Sequence, residues 1–232
     1  QLSGLVSTQV GAMTAVQLDG LTSTQLAALS TGQVAGLNTT QVASLANTQL
    51  AGMSSTQVAV LNTTQLGGLT SGLLGGLTTT QVSGFASAQV NALSFGQLDG
   101  LTSGQLAGLT TVQVSGLNTT QILSLADTQL DGLSSTQVVG LTTTQLSGFS
   151  SLQLGGLTTT QLAGLSSAQM SSLTTTQLAG LGSTMVAAWT TTRIAGLTST
   201  QVTALTTTQL DGLSSAQLGY LTTTQGAGLT ST

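Results

Sequence analysis

Residues 101–109 read Leu101-Thr102-Ser103-Gly104-Gln105-Leu106-Ala107-Gly108-Leu109, and the return of Leu after eight residues decides the fold. Let the slots of this octad be a to h, with Leu101 at a. Slot a then falls on Leu109, Leu117, Leu125, Leu133 and Leu141, and the 232 residues hold 29 such units without an insertion. Slot a is Leu except at Met13, Met53, Phe85, Phe149 and Trp189, all large and apolar. Slot e is Gln except at Leu73, Met185 and Arg193. Slot f is Leu, Val, Ile or Met until Gly226, and slot h is small except at Val60 and Tyr220.

The Thr and Val content favours strand on propensity alone. Spacing argues for helix. Slots a and f lie five apart, so a flat strand would point these two apolar residues to opposite faces. A β-solenoid, the alternative, would need a bulge or corner in every unit. The helical reading needs no such repair. Slots b to e spell Thr-x-x-Gln, a capping box, and slots a and f sit where a hydrophobic staple belongs. Leu101, Thr102, Gln105 and Leu106 show both devices in one octad, as do Leu157, Thr158, Gln161 and Leu162. The Gln column reads as capping together with hydrogen bonds between layers.

The expectation is therefore an all-α fold, an α-solenoid with one helix of about six residues per octad. Such a helix is too short to survive alone, so octads must stack on octads. Geometry favours about three octads per superhelical turn, a triangular prism, with two or four as the other choices. The core is assigned to Leu101, Leu106, Leu109, Leu141, Leu146, Leu157 and Leu162. Capping is assigned to Thr102 with Gln105, Thr142 with Gln145, and Thr158 with Gln161. Gly100, Gly108, Gly140 and Gly156 are assigned to a corner where the chain turns and layers approach closely. Residues 1–232 read as one continuous solenoid, expected to be a segment of a longer chain.

Composition excludes most chemistry. Charged residues are 3% of the chain, against about 25% in ordinary domains. The only cation is Arg193, and the only anions are Asp19, Asp99, Asp127, Asp131 and Asp211. One Arg cannot replace the counterions of a nucleic acid. Without His or Cys there is no ligand set for zinc or an iron–sulfur cluster, so no cofactor is expected. Nucleophile–base pairs of the Ser/His, Cys/His or Lys kind lack a member, so no enzyme is expected. No apolar run approaches the ~18 residues of a membrane span. Calcium binding by Asp127 and Asp131 is disfavoured, because calcium wants several close oxygen ligands. Trp189 reads as core filler and Tyr220 as a rim residue.

The octads resemble a family of secreted bacterial proteins built from tandem Gly-Leu-x-x-x-Gln-x-x repeats, also found within very large adhesin-like proteins. Gly100, Leu101 and Gln105 match the pattern, as do Gly140, Leu141 and Gln145, and Gly156, Leu157 and Gln161. The resemblance runs the length of the chain. It implies a triangular, Toblerone-like α-helical fold and subunits of extracellular nanofibres or biofilm matrix.

The functional expectation is a secreted structural protein that assembles with itself, head to tail and laterally. Near-identical octads supply no polar capping repeat, and open ends of that kind favour filaments. Few charges mean little repulsion between filaments. The alternative is the rigid stalk of a surface adhesin. Ice binding by Thr rows is a minor alternative, since slot b is occupied by capping and slot d is interrupted by Val16, Gly32, Gly72 and Leu152. The Ser and Thr rows could also carry O-linked glycans.

Overall fold

In the computed structural model the described residues are 2–229. They form 28 α-helices of four to seven residues after a short 3-10 turn at Leu2–Gly4, and they contain no strand. The helical solenoid is what forms, and the β-solenoid is not. Most helices run five residues from slot c to slot g, one fewer than expected, as in Ser103–Ala107. The reason lies at slots h, a and b. Gly108 is still right-handed (φ −77°, ψ −11°) but ends the helix as its C-cap, and slot b is extended, as at Thr102 (φ −74°, ψ 158°).

The glycines turn out to do half of what their position suggests. No described residue, glycine or otherwise, has a positive φ. The left-handed C-cap that glycine usually provides is therefore not how this chain turns. The extended residues at slots a and b turn it, and any residue adopts those angles.

The described residues fall into two compact units. One holds the residues up to Leu117 together with Ser124–Gly132; the other holds Asn118–Leu123 and the residues from Leu133 onward. The same rule operates inside each. A helix lies on the helix three octads further along. In the first unit Ser7–Gly11 packs with Thr31–Ala35, and Ser23–Ala27 with Asn47–Gly52. In the second, Ser151–Gly156 packs with Thr175–Ala179, and Ser199–Thr203 with Thr223–Leu229. Three octads thus make one turn of the coil.

Slots a and f face the interior of that turn. Leu101, Leu106, Leu109, Leu141, Leu146, Leu157 and Leu162 are each at most 4% exposed. Trp189 is buried likewise, while Tyr220 and all five Asp side chains are exposed. Stability therefore arises between turns, because no five-residue helix sustains itself in water.

Candidate functional site

The feature that repeats with the fold is the slot-e glutamine. Gln105 shows its full set of bonds. Its Oε1 accepts the Thr102 backbone N–H at 2.7 Å, and the Thr102 Oγ1 accepts the Gln105 backbone N–H at 3.2 Å. That is the local capping box. Its Nε2 then donates downward, to the carbonyls of Leu74 at 2.8 Å, Leu77 at 2.7 Å and Gly75 at 3.4 Å. These acceptors are slots f, a and g, between 28 and 31 residues earlier. One amide thus closes a helix start in its own turn and clamps the turn beneath it.

The pattern recurs through both units. Gln41 reaches Val10 and Met13, Gln81 reaches Leu50 and Met53, and Gln177 reaches Leu146 and Phe149. Gln145 caps Thr142 at 3.0 Å, and Gln161 caps Thr158 at 2.8 Å and donates to the Leu133 carbonyl at 2.8 Å. Thr102, Thr142 and Thr158 are exposed, while Gln105, Gln145 and Gln161 are at most 5% exposed. Among the described residues no buried side-chain N or O lacks a hydrogen bond. Burying an amide is costly unless both its ends are satisfied. Here the cap satisfies the oxygen and the lower turn satisfies the nitrogen. Glutamine fits because it has donor and acceptor at the end of a two-carbon stem. Glu has no donor when ionised, and Lys has no acceptor.

Bonds between layers are what the column suggests, but their acceptor atoms are not readable from sequence. The departures are informative too. At Val6, Ala46, Ala86 and Ala126 the hydroxyl half of the box is missing, yet each backbone N–H still reaches its glutamine. The glutamine half therefore stands alone. Ala86→Thr is expected to raise stability by about 1 kcal/mol, read as a higher midpoint in thermal unfolding. At Arg193 the guanidinium Nε donates to the Leu165 carbonyl at 3.0 Å, the acceptor a glutamine would take. Arginine has donors only, so it replaces the inter-turn bond and not the cap of Thr190.

The corner glycines allow close approach. A methyl on Gly100 would lie 2.6 Å from the Ser71 Cα, and one on Gly108 would lie 3.3 Å from the Thr79 Cβ. Gly140 is the C-cap of Ser135–Val139 and is exposed. Gly156 departs from the assigned role. It is the last residue of its helix, and a methyl there would meet nothing within 4 Å.

Among the described residues no three His, Cys, Asp or Glu side chains gather as a metal site would require. No described helix is long and apolar enough to cross a membrane. Surface recesses are open and lined by hydroxyl-bearing and apolar side chains together, such as the one formed by Ser199, Thr200, Thr203, Ala204, Thr224 and Ala227.

The fold and the glutamine column together define a helical tandem-repeat solenoid. A family model described as the ALTTAQ repeat matches residues 194–231. The hexapeptide in that description is similar to slots h to e of this chain. Ala204–Gln209 reads Ala-Leu-Thr-Thr-Thr-Gln and differs from it at Thr208 alone. No curated protein matches the chain.

Proposed function

We propose that this chain is a structural, non-enzymatic subunit of an extracellular fibre, a homopolymer assembled by stacking turn upon turn. The observation that carries the proposal is the two-faced turn. One face presents glutamine Nε2 donors, and the other presents the slot-f and slot-a carbonyls that receive them. Gln33 donates downward to the carbonyls of Leu2 and Leu5, and Gln41 to those of Val10 and Met13, so successive turns join by the same bonds. A three-octad turn of a second copy would meet either face with those same bonds. A net charge of −4 on 232 residues opposes lateral bundling only weakly. The exposed hydroxyl rows keep the surface hydrated and are suited to O-linked glycans.

Electron microscopy of the purified protein tests this. Uniform fibres with a layer repeat near ~8–10 Å, the spacing of packed helices, are expected. Short rods that never join, at any concentration, would overturn the fibre and leave the rigid stalk of a surface adhesin as the better reading.

A further inference from the structure

We propose that Gly182–Ile194 is the joint at which the coil opens, and that the Arg193–Ile194 peptide bond within it is a cleavage site for a trypsin-like serine protease. Two observations meet in this stretch. First, the helix Ser183–Ala187 has neither half of a capping box, since slot b is Gly182 and slot e is Met185. Second, two successive octads lack the glutamine clamp. Met185 has no amide to offer the turn below, and Arg193 makes one bond to that turn, to Leu165, where neighbouring Gln177 and Gln201 each make two.

Leu73 supplies the comparison. It also lacks the amide, but Thr70 still accepts its N–H at 3.2 Å, and Gln65 and Gln81 on either side are intact. Only the later stretch combines a missing cap with two consecutive faulty clamps. Unfolding of a repeat array proceeds through its weakest neighbour interfaces.

The same stretch holds the chain's single Lys or Arg residue. A protease with an acidic primary pocket therefore has one bond to cut. In the closed coil Ile194 is fully buried at slot f, so the bond is protected. Opening frees the Arg193 side chain from Leu165 and extends the backbone. Water then adds across the amide, leaving a carboxylate on Arg193 and an amine on Ile194.

The test is limited trypsin digestion of the full chain, followed by mass. The parent is expected to yield 1–193 and 194–232 at least tenfold faster than an Arg193→Gln, Gln113→Arg protein yields its corresponding pair. Gln113 occupies the same slot with Gln105 and Gln121 intact on either side. Repair by Gly182→Thr with Met185→Gln is expected to slow cutting at Arg193 at least fivefold. Equal rates at the two sites, no effect of repair, or an uncut parent under conditions that cut the heat-unfolded chain would each overturn the proposal. Amide hydrogen exchange on the parent needs no variant to fold. Faster exchange over residues 183–197 than over 103–117 supports the joint, and equal exchange removes it.

Discussion

Gln105→Glu is expected to fold well in mild acid and to lose about 2–3.5 kcal/mol of stability by about pH 7, since one carboxyl group can drain at most about 1.4 kcal/mol for each pH unit above about 4.3. The substitution preserves shape and changes only what the end of the side chain can donate. With its proton on, the new carboxyl group still accepts the Thr102 N–H and donates one O–H to the Leu74 or Leu77 carbonyl, which receive the parent's amide at 2.8 and 2.7 Å. With its proton off, a carboxylate stands at a position 2% exposed in the parent and faces three carbonyl oxygens without a donor. Burial and these negative ends both favour the neutral form, so the folded-state pKa rises above the unfolded value of about 4.3.

The sign of the pH dependence follows. Below about 4.3 both states hold the proton, and stability is fully present. As pH climbs toward the raised folded value, the unfolded chain releases its proton first, and stability drains away. Urea unfolding at a series of pH values reads this directly. Gln105→Leu should lose stability too, but by the same amount at every pH relative to the parent. A Gln105→Glu protein as stable as the parent across the range would mean that the downward bonds do not hold the turns together.

What sequence could and could not show divides by distance along the chain. Thr102, Gln105, Leu101 and Leu106 interact within one octad, so their pattern is written in adjacent letters and needs only the capping rules. Three octads per turn is a geometric choice among neighbours, because period eight says nothing of how many helices close a turn. The acceptors of Gln105 lie 28 to 31 residues away and are backbone carbonyls, which every residue carries. No side-chain pattern can single them out. The persistence of glutamine across octads whose slot b varies among Thr, Ser, Asn, Ala and Val is the one trace they leave. A residue kept only for capping would follow its capping partner. The glycines mislead for a related reason. Glycine at a helix end usually signals a left-handed turn, but here the demand for a missing Cβ comes from a stretch of chain 29 residues earlier, as with Gly100 and Ser71.

That demand gives the second large effect, and it differs sharply between glycines that look alike in sequence. Gly100→Ala is expected to destabilise by about 2–3 kcal/mol, whereas Gly156→Ala is expected to be neutral or to stabilise by about 0.5–1 kcal/mol. A methyl on Gly100 would meet the Ser71 Cα at 2.6 Å and its carbonyl carbon at 2.7 Å, and lie closer still to the carbonyl oxygen. These are backbone atoms of the helix Ser71–Gly75, which cannot swing aside as a side chain can. The far end of that helix is equally tight, since a methyl on Gly75 would lie 2.7 Å from the Gly100 carbonyl oxygen. Relief requires the two turns to separate. Separation stretches the downward bonds of Gln97 and Gln105, which bridge the same pair of turns to Leu66, Leu69, Leu74 and Leu77. Alanine does occupy slot h elsewhere, at Ala92 and Ala204 for instance, so the cost is expected to follow the local approach of the turns, which is 2.6 Å to a backbone Cα at Gly100 but 3.3 Å to a side-chain Cβ at Gly108. At Gly156 nothing lies within 4 Å of the added carbon and the backbone already belongs to a helix, so alanine mainly reduces the freedom of the unfolded chain. Thermal unfolding of the two variants beside the parent separates these cases. Equal shifts at both positions would show that glycine acts at slot h through the unfolded chain alone and that the turns are not held at backbone contact.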